Sequence, residues 1–431
     1  MVAVAQNRRI AVVGAGTVGV SCAWQLQMRG YQVTLVDRLT PGEACSFGNA
    51  GVIATSSFVP LVLPGTWRQV PKWLLRADGP LAIGLRDLPK TIGWFLQAQR
   101  SATAERVARA SRALHALHVG ALDDHLAQAG AAGCADLLRK SNYLYVYPSA
   151  GAVAKDRTAW TLRRDLGMQF RELDGAALAE TEPALRGGFA RGVLLENHGT
   201  VLDPGGLAKA LASDFRRRQG RILQSEVRGV SPCSEGGAVL ATANGELTVD
   251  TVIVAAGVWT VELARSLGHV FPLTAERGYH VMYENPGVEL RQPVMFAEQK
   301  FVATSMRGGL RLAGTAEFAG VDRPPSNRRW AMLERLAGRY LNGLNQSRAH
   351  HWVGARPSLP DTLPVIGRSQ RHPDVIFAFG HGHTGLTASA TTARIVAALV
   401  DGEPPPIDIH PFRPDRFPVA ESVVPVRQER V

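Results

Sequence analysis

Residues 9–19 read Arg9-Ile-Ala-Val-Val13-Gly14-Ala-Gly16-Thr17-Val18-Gly19. They indicate the fold class, because an apolar run of strand length passes directly into three glycines spaced GxGxxG. From Val18 to Met28 the apolar residues recur with helical periodicity, and Gly30 is a suitable C-cap. Tyr31 to Val36 is typical of a second buried strand. The pattern predicts a β-α-β unit whose two strands lie parallel in a doubly wound sheet.

Each glycine of the motif has its own task at a phosphate-binding turn. Gly14 permits the tight turn, Gly16 lets the backbone approach a pyrophosphate, and Gly19 allows the helix to pack closely on the strand. The backbone N–H groups that follow, at Thr17 and Val18, stand at the positive end of the helix dipole. This end of the helix is therefore predicted to receive phosphate charge.

An acidic residue stands where a ribose would lie. Asp37 is at the tip of the second strand, where its carboxylate can accept hydrogen bonds from a ribose diol and would repel a 2′-phosphate. Arg38 follows it and is assigned to the same site. The unit therefore predicts a dinucleotide-binding site, and the motif alone does not distinguish NAD from FAD.

Length and composition indicate a globular protein of more than one domain. With 431 residues the chain is predicted to form two domains, and 45% hydrophobic with 20% charged residues is ordinary globular composition. The net charge of +11 fits an anionic substrate or cofactor, an anionic membrane surface or a basic proteome. No nucleic-acid-binding signature accompanies the charge, so nucleic acid is not expected as a partner. The four cysteines show no CxxC spacing, and we expect reduced thiols and no metal site.

No signal peptide is evident, and no apolar run of about 18 residues or more predicts a spanning helix. We expect a cytoplasmic protein. Peripheral contact with the inner face of the cell membrane stays open, because the surface is basic and the segment after residue 59 is rich in tryptophan.

Further elements follow from periodicity. A long helical pattern covers Thr103 to Ala129, and antiparallel strands are predicted over 271–315. A strand is predicted over Ile222–Val227, and the residues after Gly402 are predicted to form an extended tail over the surface.

Four later segments resemble the D-amino-acid oxidase superfamily of FAD-dependent oxidoreductases. Ser46-Phe-Gly48-Asn49-Ala50-Gly51 resembles the loop along the flavin, and Val252-Ile-Val-Ala-Ala256-Gly257-Val-Trp259-Thr260 resembles a strand and turn that approach the cofactor. Gly354-Ala-Arg356-Pro-Ser-Leu-Pro-Asp361-Thr-Leu-Pro364-Val-Ile-Gly367 resembles the late proline-rich signature, and Phe379-Gly380-His381-Gly382-His383-Thr384-Gly385 the closing loop. The likeness covers residues 10 to 402 in the order of the family.

The resemblance implies an α/β (α+β) two-domain fold. A Rossmann-like FAD-binding domain of the glutathione-reductase type would comprise residues 1–58, 201–268 and 352–402. An inserted substrate domain with an antiparallel sheet would comprise residues 59–200 and 269–351, and residues 403–431 would form the C-terminal tail.

The resemblance also implies that FAD is the cofactor, bound noncovalently, since nothing resembles the covalent attachment pattern of sarcosine-oxidase relatives. Val227 is a further cofactor candidate, through its backbone at the adenine. The full set of predicted cofactor residues is Gly14, Gly16, Thr17, Val18, Gly19, Asp37, Arg38, Ser46, Asn49, Ala50, Gly51, Val227, Ala256, Gly257, Trp259, Gly380, His381, Gly382, His383, Thr384 and Gly385.

The chemistry implied is hydride transfer from Cα of an amino acid to flavin N5, which leaves an imine that water hydrolyses. Arg356 is the predicted carboxylate ligand, because a guanidinium can bind a carboxylate through two parallel hydrogen bonds. Tyr279 and His383 are the other predicted substrate residues. No catalytic acid, base or nucleophile is assigned, because a substrate that binds with a neutral amine needs none.

Within the superfamily, the segment around Trp73 and Trp94 most resembles the small-subunit type of bacterial D-amino-acid dehydrogenase, and Gly380–Gly385 also resembles hydroxyproline or proline types. A dehydrogenase that passes electrons to a quinone or a protein is the main hypothesis. The alternatives are a sarcosine or glycine-type oxidase that uses O₂, and a flavin-bearing subunit of a multi-subunit dehydrogenase. A nicotinamide-dependent enzyme is less compatible with the second half of the chain.

Overall fold

The computed structural model describes residues 8–76 and 79–417. The strands are β1 Arg9–Val13, β2 Gln32–Asp37, β3 Val52–Ile53, β4 Leu81–Ile83, β5 Leu138–Tyr147, β6 Phe170–Asp174, β7 Arg191–Val201, β8 Arg221–Gln224, β9 Val227–Pro232, β10 Ala238–Thr242, β11 Gly245–Val249, β12 Thr251–Val254, β13 Thr274–Tyr283, β14 Val294–Phe296, β15 Phe301–Met306, β16 Gly309–Phe318, β17 Ala349–Ser358, β18 Val365–Arg368 and β19 Val375–Phe379.

The helices alternate with these strands in the first half of the chain and then become rarer. They are α1 Thr17–Met28, α2 Val70–Leu75, α3 Leu88–Ser101, α4 Ala104–His118, α5 Ala121–Ala131, α6 Ala150–Lys155, α7 Arg157–Asp165, α8 Gly175–Thr181, α9 Pro204–Arg217, α10 Thr260–Ser266, α11 Asn327–Tyr340 and α12 Gly385–Asp401.

A six-stranded sheet has the order β18-β19-β12-β1-β2-β8. All its neighbours pair in parallel except β18 with β19. Along β1, Ile10 and Val12 belong to one core while Ala11 and Val13 belong to the core on the opposite face. Apolar residues on both faces therefore bury the sheet on both sides, and the predicted doubly wound arrangement is confirmed.

The second sheet is larger and mixed, with the order β17-β13-β16-β15-β14-β5-β7-β3; β4 pairs with β16 and β6 with β7. Most pairs are antiparallel, and β14–β5 and β16–β4 are parallel. α11 packs on one face, where Tyr279, Leu312 and Leu333 share a buried cluster. The opposite face points toward the loop that follows β2, as the contacts of Arg311 with Phe47 show. Strands β9 to β11 form a small third sheet.

Two parts of the chain pack with the other domain from the one to which they were assigned. β17 pairs along its whole length with β13 of the large sheet, although residues 352–402 were assigned to the cofactor domain. Conversely, α4 and α5, assigned to the substrate domain, contribute Leu114 and Leu122 to the core that contains Ile10. Their apolar faces pack on α12, which explains the difference. The other predicted boundaries remain predictions.

Two predicted elements also differ from the structure. The single helix over Thr103–Ala129 is two helices, because the chain turns at Gly120 between α4 and α5. The strand over Ile222–Val227 is interrupted after Gln224 and passes from the first sheet to the third.

The tail is not merely extended over the surface. Phe412 is fully buried in the core that contains Ile10, and Arg416 binds the Asp361 carboxylate at 2.8 Å. The rest of the predicted tail, 418–431, and residues 1–7 of the predicted cofactor domain lie outside the described residues. None of the helices in the described ranges is long and apolar enough to cross a bilayer.

Candidate active site

The glycine turn after β1 leaves no room for side chains. Gly14 has a φ of +107°, and a Cβ placed on it would lie 2.4 Å from the carbonyl oxygen of Ala255. A Cβ on Gly19 would lie 1.8 Å from the carbonyl oxygen of Gly14, so α1 packs directly on the turn. α1 has no capping side chain, and the Thr17 amide donates to Ser46 Oγ at 2.8 Å. The first turn of α1 therefore presents its positive end at this point.

This turn borders a cavity of about 370 Å³ at the carboxyl ends of β1, β2 and β12. The cavity is elongated: one end is bordered by the crossing from β8 to β9, the other by the loop before α12. The predicted cofactor residues that line it are Gly14, Gly16, Thr17, Val18, Asp37, Arg38, Ser46, Asn49, Val227, Ala256, Gly257, Trp259, Gly380, His381, Gly382 and Gly385. The structure thus brings most of the set together.

At the β8–β9 end the acidic residue is held in place. Asp37 accepts hydrogen bonds from the amides of Ala15 at 2.6 Å and Leu39 at 2.8 Å. The Arg38 guanidinium lies 4.3 Å from the ring centre of Trp259. The two carboxylate oxygens of Asp37 are therefore fixed by the backbone, and Arg38 and Trp259 form one wall of the cavity.

Five predicted cofactor residues do not line this cavity: Gly19, Ala50, Gly51, His383 and Thr384, of which the last two border a separate recess. Gly19 belongs to the packing of α1 on the turn. Gly51 has a φ of +73°, and a Cβ there would lie 2.6 Å from both Met306 Cε and the carbonyl oxygen of Val201. Ala50 packs beside the large sheet in an apolar cluster. Ala50 and Gly51 therefore shape the loop after β2 and do not border the cavity.

The loop from Ser46 to Gly51 is anchored by a buried arginine of β16. Arg311 Nη1 donates to the carbonyl oxygens of Phe47 at 2.9 Å and Asn49 at 2.8 Å. Its side chain is only 5% exposed, and burial lowers its pKa to about 10. Trp352 fills the space beneath Gly48, where a Cβ would lie 1.8 Å from the indole ring. The large sheet thus fixes the position of this loop against the cavity.

The closing loop before α12 uses two glycines with positive φ, Gly380 at +80° and Gly382 at +55°. The Gly382 amide donates to the carbonyl oxygen of Pro357 at 3.1 Å, which joins the loop to the end of β17. His381 Nε2 lies 3.0 Å from Thr392 Oγ1, and burial, with a smaller effect of His118, lowers the His381 pKa to about 3. α12 has no capping side chain and no acidic residue in its first turn. A neutral His381 and the positive end of α12 therefore stand at this end of the cavity.

Arg356 lies on the face of β17 that points toward the loop after β2, and it is paired. Its Nη1 donates to Glu276 Oε1 and to the carbonyl oxygen of Thr315, both at 2.9 Å. Glu276 Oε2 accepts from Ser358 Oγ at 2.8 Å. Burial alone would raise the pKa of Glu276, but Arg356, His383 and Ser358 outweigh it and hold that pKa below its usual value. Arg356 and Glu276 are not among the residues that line the cavity, but Ala355 and Pro357 on either side of Arg356 are, so the ionised Arg–Glu pair lies beside the cavity.

His383 and Thr384 line a narrow recess of about 10 Å³ that adjoins the cavity and shares the closing loop with it. Burial lowers the pKa of His383, Glu276 opposes this effect, and Arg356 adds to it. Cys45 lines the cavity, and burial raises the pKa of its thiol to about 11. At neutral pH His383 is therefore uncharged and Cys45 is a thiol.

Tyr279 does not belong to this site, so that prediction is wrong. Side chains alternate along β13, and Glu276, Gly278 and His280 face the cavity side. Tyr279 points to the other face, where its hydroxyl donates to Glu317 and its ring packs on Trp330 at 5.5 Å between ring centres.

Sequence reasoning missed Glu276 and Arg311. The signal that was available for Glu276 is the period of two along β13: an ionisable residue three positions before Tyr279 points to the opposite face. No sequence signal was available for Arg311, because its partners are backbone carbonyls far away in the chain.

Comparison with known proteins agrees with this geometry. A family model described as "DAO: FAD dependent oxidoreductase" matches residues 9–399. The chain belongs to this family. It is an FAD-dependent oxidoreductase, and the resemblance drawn from the four sequence segments is confirmed.

Relatives match this oxidoreductase along almost its whole length. A protein of Bradyrhizobium diazoefficiens named D-amino-acid oxidase is 36% identical, over 96% of this chain and 99% of the relative. A D-amino acid dehydrogenase of Agrobacterium fabrum is 29% identical, over 95% of this chain and 99% of the relative. Glycine oxidase from Geobacillus kaustophilus has the same fold, with a TM-score of 0.74 at 21% identity over 96% of this chain and 100% of that structure.

The cavity of this FAD-dependent oxidoreductase fits its cofactor. Gly14 and Gly16 of the turn line the cavity, and α1 begins there at Thr17 and Val18 with no capping side chain, so its positive end can receive a phosphate. Asp37 stands at the end that suits a ribose, and the start of α12 at the end that suits the isoalloxazine ring. An elongated dinucleotide can therefore lie between the two ends.

Proposed function

We propose that this oxidoreductase oxidises the Cα–N bond of a small amino acid, and specifically of a D-amino acid, to give the imino acid. Water then hydrolyses the imino acid to a 2-oxo acid and ammonia. The names of the two relatives above support this substrate class. FAD, bound noncovalently, would supply the hydride acceptor. Among the proposed alternatives are hydroxyproline or proline, and a sarcosine or glycine-type amine.

The proposal rests on which hydrogen-bond donors of Arg356 remain free. Both hydrogens of Nη1 are used, while Nε and Nη2 donate to no acceptor within the described residues, and the side chain is 19% exposed. The free edge of the guanidinium can therefore take a carboxylate through two parallel hydrogen bonds. This would orient Cα of the substrate toward the end of the cavity that the closing loop borders.

His383 is proposed to line the substrate site from the recess side. Its imidazole is neutral near pH 7, because burial lowers its pKa. A neutral imidazole can accept a hydrogen bond from the ammonium or amine of the substrate. A protonated imidazole beside Arg356 would instead repel that ammonium.

Product analysis tests the proposal. The purified holoprotein would be incubated with an artificial electron acceptor and a panel of D- and L-amino acids, prolines and N-methyl glycines. Formation of a 2-oxo acid and ammonia from D-amino acids is the expected result, whereas formaldehyde from sarcosine would support the amine-oxidase alternative. If no member of the panel gives product although flavin is bound, the proposal fails. FAD should leave the protein on acid precipitation, which checks noncovalent binding.

The electron acceptor is proposed to be a quinone or a protein rather than O₂. Peroxide release in air at the rate of substrate loss would contradict this. A fast reaction with a soluble quinone in the absence of O₂ would support it. Dependence of turnover on a copurifying polypeptide would favour the multi-subunit alternative.

We further propose that the protein works in the cytoplasm and contacts an anionic membrane through α2 and α3. Of the twelve large apolar side chains exposed in the described part of the chain, seven lie between residues 61 and 96. Leu88, Ile92 and Leu96 are 40%, 53% and 52% exposed and form one stripe along α3, and Leu75 at the end of α2 is 88% exposed. Such a cluster on a soluble surface marks an interaction site.

Charge favours lipid as the partner of this apolar surface. Exposed cations of the same segment include Arg68, Lys72, Arg76, Arg86 and Arg100. Asp87, the acidic residue described in the same segment, is buried and pairs with Arg323 at 3.4 Å. Apolar side chains flanked by cations bind at the interface of anionic bilayers.

Vesicle cosedimentation tests this contact. The protein should sediment with vesicles of phosphatidylcholine and phosphatidylglycerol and much less with phosphatidylcholine alone. The triple variant Leu75→Ser, Ile92→Ser and Leu96→Ser should lose binding, while Val270→Ser with Val321→Ser, which removes exposed apolar groups elsewhere, should keep it. Equal sedimentation of the two variants, or a concentration-dependent dimer that the triple variant abolishes, would contradict the lipid proposal.

A further inference from the structure

The Arg356–Glu276 pair has a fixed geometry on adjacent strands. Arg356 of β17 faces Glu276 of β13 in register, and Gly278, two residues on, leaves the space in which the guanidinium lies. A Cβ on Gly278 would be 2.1 Å from Nη2 and 2.3 Å from Cζ. Ser358 and the Thr315 carbonyl hold the two side chains from either side. The register of the two strands and these hydrogen bonds therefore hold the positive and negative groups together.

This pair sets the net charge at the substrate end of the site. The charged or titratable groups that act on Glu276 are Arg356 and His383, and those that act on Cys45 are again Arg356 and Glu276. His383 and Cys45 are uncharged at neutral pH, for the reasons given above. The described groups at this end therefore carry one positive and one negative charge, which sum to zero.

We infer that Glu276 determines substrate specificity: with Arg356 it forms a two-charge receptor for the zwitterion of an amino acid, and its carboxylate excludes acidic side chains and carboxylates that lack an ammonium group. The inference rests on the proposed function. The free edge of Arg356 binds the substrate carboxylate, and the negative field of Glu276 favours the ammonium group with which the amino acid enters; that group releases one proton to water before hydride leaves Cα. Amino acids with neutral or basic side chains are the class that this charge arrangement accepts.

The physical basis is the cost of an unmatched charge away from water. A simple monocarboxylate that binds Arg356 adds a second negative charge close to Glu276, and an acidic side chain does the same. A zwitterion adds none. Arg356 without Glu276 would bind any carboxylate more tightly, because its positive charge would no longer be balanced.

Substitution of Glu276 separates these cases. Glu276→Gln removes the charge and keeps an oxygen that can accept from Arg356 or Ser358. Glu317→Gln is the matched control, because Glu317 of β16 pairs with Arg277 at 3.5 Å on the opposite face of β13. Each holoprotein would be titrated with benzoate through the perturbation of its flavin absorbance, and its kcat/KM would be measured for D-alanine, D-aspartate and D-glutamate.

The expected result is a change of selectivity and not only of activity. In Glu276→Gln the affinity for benzoate should rise roughly tenfold or more, and kcat/KM for D-aspartate and D-glutamate relative to D-alanine should rise by a similar factor. Glu317→Gln should leave both ratios unchanged. An equal loss for benzoate, acidic and neutral substrates in Glu276→Gln would overturn the inference, since Glu276 would then only position Arg356.

Two further outcomes keep the test decisive. If Glu276→Gln does not fold, the unmodified protein decides: faster oxidation of D-aspartate than of D-alanine would overturn the inference. If no amino acid is oxidised by any form, the proposed function fails, but the benzoate titration still reports whether Glu276 weakens carboxylate binding at Arg356.

Discussion

Among single residues, Gly278 sets the position of the Arg356 guanidinium because it has no side chain. The guanidinium of Arg356 occupies the volume that a Cβ at this position would fill. Gly278 is not among the glycines with positive φ, so its backbone conformation accepts an alanine. The residue is therefore glycine because of the close approach of Arg356 and not because of a turn.

Gly278→Ala should displace the guanidinium and weaken substrate binding. KM should rise about tenfold or more, since disturbing a charge-assisted hydrogen bond costs ~1–3 kcal/mol, and the flavin content should not change. Steady-state kinetics with flavin spectra measure both. Gly229→Ala is the control, because a Cβ at Gly229 meets no atom within 4 Å. A KM that stays unchanged in Gly278→Ala would show that Arg356 does not bind the substrate.

At the scale of elements, the loop after β2 depends on the large sheet. Arg311 of β16 holds two of its carbonyl groups, and Trp352 of β17 packs against Gly48. The loop lines the cavity through Ser46 and Asn49. The strands of one sheet thus position a loop that belongs to the cofactor site of the other.

Arg311→Met should loosen this loop and lower the affinity for FAD. Two charge-assisted hydrogen bonds are lost, which corresponds to about 10- to 100-fold weaker binding if about 1.5–3 kcal/mol is lost. Fluorescence titration of the apoprotein with FAD measures this directly. Arg307→Met is the control, because Arg307 is half exposed and pairs with Asp136 on the surface. Equal FAD affinities in the two variants would contradict the role of Arg311.

Elements also show what sequence can and cannot predict. The β1-α1-β2 unit was predictable because its apolar periods and glycines are local in the chain. Tyr279 was predicted as a site residue and Glu276 was missed, because the face of β13 that meets the site depends on its pairing with β16 and β17. The pairing of Arg356 with Glu276 is likewise non-local, so the sequence predicted Arg356 as a site residue but not its counter-charge.

At the scale of the whole molecule, several buried histidines make stability depend on pH. Burial is the largest cause of the lowered pKa in each of them. The pKa is about 4 for His118, His198 and His269 and about 3 for His280 and His381. In the unfolded chain these groups titrate near their ordinary value of 6.5. Between pH 6.5 and 4 the unfolded chain therefore takes up protons that the folded protein does not.

The free energy of unfolding should accordingly be greatest above pH 6.5 and fall as the pH drops toward 4. Each of these histidines contributes a loss of up to ~1.4 kcal/mol per pH unit. Denaturant unfolding of the holoprotein at pH 7, 6 and 5 measures the slope. His269→Gln should reduce the slope, because it removes one of the buried imidazoles. An unfolding free energy that stays constant from pH 7 to pH 5 would contradict the account.

We propose that this FAD-dependent oxidoreductase takes electrons from Cα of a D-amino acid held at Arg356. Anaerobic mixing of the holoprotein with D-alanine, and separately with L-alanine, would show this electron transfer through the visible absorbance of the bound flavin. We expect rapid bleaching by the D-enantiomer, little by the L-enantiomer, and a large loss of the D-alanine rate in Arg356→Met. Absence of flavin from the purified protein, or bound flavin that D-amino acids do not bleach, would contradict it.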